Sequence, residues 1–176
     1  MRLLAISGSL RNASSNTSLL KAAQMLAPNG IEIELYEGLG MLPHFNPDLD
    51  VEPLPAAVAD LRSCIAAADG LLISSPEYAR GVPGSLKNAL DWLVSGPEFP
   101  DKPVALFNAS DRSVNAQAAL RLTLETMSGR MVDAATITVH LLGKTQTPEE
   151  IAGNLTIAQM IRSALRAFAD AVTPRT

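Results

Sequence analysis

Cysteine is almost missing from this chain of 176 residues: Cys64 stands alone, no internal disulfide can form, and the usage is that of a cytosolic protein. It lies in the apolar stretch CIAAA with no histidine near it in sequence, which reads as a small core residue rather than a nucleophile. Histidine is scarce too. His44 and His140 are far apart, neither has metal-ligand spacing to Cys64, and no metal site is expected. Long like-charge runs are absent. A net charge of −4, from 14 basic and 18 acidic residues, argues against nucleic acid or an anionic membrane as partner and leaves a small ligand as the default. No stretch approaches the roughly 20 apolar residues of a membrane helix. The opening MRLLAIS is too short for a secretory apolar segment and runs on to Arg11 without a small-residue cleavage pattern. A soluble, cytoplasmic protein is the expectation. No linker composition divides the chain, and 176 residues with 47% hydrophobic positions suit one core, so residues 1–176 read as a single domain.

What is present is alternation. Strand-like runs fall at LLAIS (3–7), IEIELY (31–36), GLLIS (70–74), VALFNA (104–109) and near Ala134 to Val139. Helical periods lie between them: Thr17 to Ala27, Pro55 to Ala68, Pro83 to Val94, Asn115 to Met127 and Pro148 to Val172. This order predicts an α/β fold, a parallel sheet with helices on both faces. IEIELY alternates apolar and polar positions while three other strands are continuously apolar, which places it at an edge. The resulting order is 2-1-3-4-5, a flavodoxin-like three-layer sandwich with five parallel strands. Its switch point lies between strands 1 and 3, and ligands in such sheets sit beyond the carboxyl ends of the strands.

The loops at that point are the most polar in the chain. After strand 1 runs GSLRNASSN, Gly8 to Asn16, with Thr17 next. Hydroxyls, free amides and one guanidinium at a helix start suit an anion, although helix capping alone would use some of the same residues. The loop lacks GK[ST] and GxGxxG, which argues against triphosphate hydrolysis and a dinucleotide fold. It has no cysteine or aspartate for phosphatase chemistry. After strand 3 runs PEYARGVPGSLKNALDW, Pro76 to Trp92, in which Pro83 begins a helix patterned by Leu86, Ala89, Leu90, Leu93 and Val94. Lys87, Asn88 and Asp91 read as its wet side, and Trp92 as a packing residue at the core margin or at a subunit contact. Thr147, Pro148 and Glu150 announce the last helix. The proline-rich connection Glu37 to Pro53 reads as a surface loop, either a lid or a dimer contact.

With both loops in view, the sequence resembles the NADPH-dependent FMN reductase family. The likeness rests on GSLRNASSN, similar to the family pattern GS-x-R-x-x-S-x-N, and on PEY-x-x-x-x-PG-x-LKNA-x-DW. It implies a flavoprotein oxidoreductase that binds FMN, takes hydride from NADPH or NADH and passes two electrons, by a ping-pong scheme, to quinone-like or other small acceptors. Under it, Ser9, Arg11, Ser14, Ser15, Asn16 and Thr17 bracket the FMN phosphate. Pro76, Glu77, Tyr78, Ala79, Gly81 and Ser110 line the flavin, and Arg80 steers a nucleotide phosphate or an anionic acceptor. No side chain need be catalytic, since the cofactor does the chemistry. A homodimer or homotetramer is implied, and an apolar face around Leu90, Trp92 and Leu93 is available for it. Two departures stand out: Ala79, Arg80 and Gly81 replace the family's usual asparagine-containing turn, and the loop after Ser110 lacks glycine. The rival readings are a flavodoxin-type electron carrier and a flavin-free binding module on the same fold.

Overall fold

Along the first strand, β1 (Arg2–Ser7), successive side chains enter opposite cores. Leu3 and Ala5 join one apolar cluster, and Leu4 and Ile6 the other. The same division continues in β3 (Gly70–Ser74) and β4 (Pro103–Asn108), where Leu72, Ala105 and Phe107 face one side and Leu71, Ile73, Val104 and Leu106 the other. Strands buried on both faces need helices on both, and the computed structural model, which describes residues 1–141 and 146–172, has them. Helix α1 (Ser15–Met25), the short α5 (Pro148–Gly153) and α6 (Leu155–Val172) cover the first face. Helices α2 (Ala56–Ala67), α3 (Gly84–Asp91) and α4 (Val114–Thr126) cover the second.

Strand β2 (Glu32–Leu35) pairs, among the described residues, only with β1, burying Ile33 and leaving Glu32 and Glu34 outside, as expected of an edge. The parallel order is β2-β1-β3-β4-β5, so the predicted flavodoxin-like arrangement is the observed one. Its last position is occupied in two pieces. β5 (Arg130–Met131) and β6 (Ile137–Thr138) both pair in parallel with β4, separated by a 3-10 turn at Asp133–Ala135. The run near Ala134 to Val139 therefore supplies only the second piece. Ala135 is fully buried in the turn, so its apolar character reflects packing rather than strand pairing.

The last helical period also divides. Asn154 ends α5 in an extended conformation (φ −77°, ψ 110°), and its Oδ1 accepts from the Ile157 amide to begin α6. The Gly153-Asn154 pair is the local signal for that break. The capping box ahead of α5 forms as read: the Glu150 amide donates to Thr147 Oγ1 at 3.2 Å and the Thr147 amide to Glu150 Oε2 at 2.8 Å.

The connection Glu37 to Pro53 is strapped down over α3 by hydrogen bonds with the helix and its C-cap. Asn88 donates through Nδ2 to the Pro43 carbonyl at 2.9 Å and accepts from the Phe45 amide at 2.7 Å. Trp92 donates to the same Pro43 carbonyl at 2.8 Å and meets the Phe45 ring edge-on, with centroids 5.0 Å apart. Further along, Arg62 and Asp50 form a 2.9 Å ion pair that is largely buried, and the same guanidinium reaches the Trp92 carbonyl at 2.7 Å. Trp92, Leu90 and Leu93 are 0%, 3% and 2% exposed. Leu90 and Leu93 pack into the core on the second face of the sheet and Trp92 lies beneath the strap, so the apolar face that periodicity offered to a second subunit is already covered by the chain.

Candidate functional site

At the carboxyl end of β1 the chain is drawn tightly against β3. The Gly8 amide donates to the Ser74 carbonyl at 2.8 Å, and a Cβ on Gly8 would come within 3.0 Å of Leu86 and of Ser75 Oγ. A larger residue would have to push those two side chains aside. The residues that follow divide into anchors and free groups. Ser14 is the N-cap of α1, its hydroxyl accepting from the Thr17 amide at 3.3 Å. Asn16 is buried and accepts through Oδ1 from Ser74 Oγ at 3.0 Å, joining the two loops. Thr17 shares a 2.8 Å hydroxyl contact with Ser7. Ser9 is buried and accepts weakly from the Arg11 amide at 3.4 Å.

Ser15 and Asn16 head the first turn of α1, where amides have no earlier helical carbonyl to meet, and the exposed Arg11 lies beside that turn. Positive helix end and guanidinium together favour an anion.

The loop after β3 is a tight hairpin turn. Tyr78 and Gly81 exchange both backbone hydrogen bonds, at 3.1 and 2.9 Å, across Ala79 and Arg80. Both central residues have positive φ, +50° and +61°. That is the geometry of a type I′ turn, usually made by asparagine and glycine, here imposed on residues with a Cβ. Tyr78 is half exposed, and Ala79 and Arg80 stand outside at the tip.

Glu77 is turned to another purpose. Its carboxylate accepts from the Ala116 amide at 2.9 Å and from Asn115 Nδ2 at 3.3 Å, so it caps α4 from across the cleft. These bonds, led by the Ala116 amide, hold its pKa below the ordinary carboxylate value. Ser113, the residue at the N-cap position of α4, makes no side-chain capping bond of its own.

The two loops converge. Arg11 and Tyr78 line one cavity of about 440 Å³, together with Gly8, Leu10, Pro83 and Gly84. On the other side of Leu10 and Arg11, a recess of about 280 Å³ is lined by Ser9, Thr17, Lys21 and Tyr36 among others. Burial raises the Tyr36 hydroxyl to about 12, so it is a neutral phenol at any physiological pH. Ser110 lies beyond β4, where its amide donates to Asn108 Oδ1 at 3.2 Å and its hydroxyl accepts from the Arg112 amide at 3.1 Å. It shapes its own turn. A larger groove of about 600 Å³, lined by Asp69, Lys102 and Pro103, sits at the opposite end of the sheet, away from these loops.

Three roles escaped sequence reading. Asn88 anchors the 37–53 strap, although helical periodicity put it on the wet side; Lys87 and Asp91 do form an exposed pair there at 2.5 Å. Glu77 caps a helix 39 positions away, a contact without a signal in the sequence, since Ser113 reads there as an ordinary cap. His140 comes within 3.1 Å of Asp111 beside the loop after β4, which sequence distance concealed.

Against known proteins, residues 1–142 match the family model described as NADPH-dependent FMN reductase. An NAD(P)H-dependent FMN reductase of Pseudomonas aeruginosa is 43% identical over 129 residues, 70% of this chain and 69% of that one. A quinone reductase of Escherichia coli K12 is 36% identical over 106 residues, 60% of this chain but 55% of its own length. Among solved structures, the flavoenzyme NAD(P)H:(acceptor) oxidoreductase FerB of Paracoccus denitrificans superposes with a TM-score of 0.82 at 30% identity, covering 97% of this chain and 96% of that one.

Proposed function

We propose, for a chain that belongs to the NADPH-dependent FMN reductase family, that the cleft between the loops after β1 and β3 holds FMN and admits NAD(P)H and a small oxidised acceptor such as a quinone. FMN supplies the chemistry when bound, taking hydride from the nicotinamide and passing two electrons to the acceptor. The residues present fit such a group. A phosphate suits the first-turn amides of α1 and the Arg11 guanidinium, while the Ser14 and Asn16 oxygens accept bonds that hold the loop in shape. A planar ring suits the apolar-walled cavity beside Tyr78, with Gly84 leaving open space where a Cβ would stand.

The single observation that carries this reading is that Arg11 and Tyr78, 67 positions apart in sequence, line the same cavity at the switch point of the sheet. The protein's own part is to bind, orient and exclude water. The exposed Arg80, at the tip of the hairpin turn, is the group that steers a nucleotide phosphate or an anionic acceptor. The same reading includes a cytoplasmic enzyme, supported by the lone unpaired Cys64, and a homodimer or homotetramer. With Leu90, Trp92 and Leu93 buried, support for assembly shifts to apolar side chains at the site's rim, Leu10 at 58% and Met41 at 77% exposed.

The test is the absorbance spectrum of the purified protein with FMN, before and after anaerobic NADPH. A bound-flavin spectrum bleached within the mixing time is expected. Flavin that binds but stays oxidised with both NADPH and NADH would instead mark an electron carrier, and protein that takes up no FMN would end the flavin reading altogether.

A further inference from the structure

Two adjoining residues in the loop after β3 do opposite things. Glu77 reaches away from the cavity to the α4 amides, while Tyr78 begins the hairpin turn that lines the cavity. Anchor and wall are joined by a single peptide bond. The turn itself cannot set its own position, since Ala79 and Arg80 sit at positive φ without glycine's freedom and the surrounding structure must hold them there. Apart from the internal pair of Tyr78–Gly81 bonds, the loop is tied to α4 by Glu77 and, more weakly, by Gln117 Nε2 donating to the Ser75 carbonyl at 3.4 Å. On the other side of that tie, α4 depends on the loop, because Ser113 does not cap it and Ser110 is engaged in its own turn.

We infer that Glu77 is a positioning residue: its carboxylate, by capping α4, holds the Tyr78–Gly81 turn in the conformation that receives the flavin ring. The inference rests on the FMN reading of the cleft for its consequence, but not for the coupling itself. Capping and flavin placement are then one device. The glycine-free loop after Ser110 fits this arrangement, for α4 starts close enough to be bridged by a side chain from the neighbouring strand's loop.

Amide hydrogen exchange without flavin, and FMN titration followed by quenching of flavin fluorescence, test it on Glu77→Ala and Glu77→Gln. Glu77→Ala is expected to speed exchange at Ala116 and also at Tyr78 and Gly81 by about tenfold, and to weaken FMN binding by a similar factor, the scale of losing one helix cap. Glu77→Gln, which keeps an acceptor oxygen, is expected to restore all of these to within about threefold. If only Ala116 loosens while the turn amides and FMN affinity match wild type, Glu77 merely caps a helix and the inference is wrong. Should Glu77→Ala fail to fold, Glu77→Asp, which withdraws the carboxylate by one methylene, must show the same joint loosening for the inference to stand. A wild-type chain that does not bind FMN sinks the flavin reading alone, because the exchange measurement still judges the coupling.

Discussion

Replacing Asn88 with alanine separates two accounts of the PEYARGVPGSLKNALDW segment. If Asn88 were a solvated helix residue, the change would shift stability by no more than about 0.5 kcal/mol. The structure gives it a bidentate grip on the strap, donating to Pro43 at 2.9 Å and accepting from the Phe45 amide at 2.7 Å. Each bond contributes on the order of 1 kcal/mol, and the Phe45 amide, partly buried, would lose its partner. The Pro43 carbonyl would keep its bond from Trp92. We therefore expect a loss of about 2–3 kcal/mol, or roughly 4–10 °C in Tm for a chain of this size. Trp92 is the one tryptophan, fully buried beneath the strap, so urea unfolding followed by its fluorescence reports the region directly. Asn88→Asp, which retains the acceptor for Phe45, should fall between wild type and alanine. Trp92→Phe combined with Asn88→Ala, with unfolding followed by circular dichroism because these variants lack the tryptophan, should be non-additive, because both donors converge on one carbonyl. A midpoint for Asn88→Ala within 0.5 kcal/mol of wild type, or strict additivity with Trp92→Phe, would refute the strap.

Arg11→Ala should weaken FMN binding by about tenfold or more through loss of a charge-assisted phosphate contact, measured by flavin fluorescence; unchanged affinity would remove Arg11 from the phosphate site. Arg80→Ala should raise the KM for NADPH or for an anionic acceptor while kcat holds, and identical steady-state constants for every substrate would dismiss the steering role. Ala79→Gly should stabilise the fold by about 1 kcal/mol in thermal unfolding, since glycine adopts its φ of +50° without the Cβ clash, and a destabilised variant would contradict the strained-turn description. The depressed pKa of Glu77 means that its contribution is present in full above the ordinary value of 4.5 and is lost as pH falls below it. Acid unfolding should accordingly begin at higher pH in wild type than the change in global charge alone predicts, and Glu77→Gln should flatten that limb; superimposable acid limbs would count against the cap.

Strand order was readable because burial leaves a trace in residue type. IEIELY advertises one wet face, and GLLIS and VALFNA advertise two dry ones, which is nearly sufficient to place an edge and a centre. The candidate site's location followed from that order, because ligands of open parallel sheets gather at the switch point whatever their identity. The broken strand at Asp133–Ala135 and the helix break at Asn154 were less legible, since an apolar run does not distinguish pairing from packing and a six-residue helix is too short to show a period of its own.

Side-chain roles divide along the same line. That Gly8 to Thr17 would suit an anion, and that Cys64 would pack rather than react, depend on residue type and immediate neighbours. Cys64 is only partly buried, packed against the second apolar cluster rather than inside it, and that burial raises its thiol pKa. Glu77, Asn88, Trp92 and His140 depend instead on what lies opposite them after folding, at separations of 39, 45, 49 and 29 positions. A carboxylate in a loop looks the same in sequence whether it faces a ligand or a helix amide. The chain by itself determined the fold, the family and the end of the sheet where the candidate site lies. Only tertiary structure decided which polar groups remain free for a ligand, because a hydrogen bond is fixed by distance and direction, and those do not exist until the loops meet.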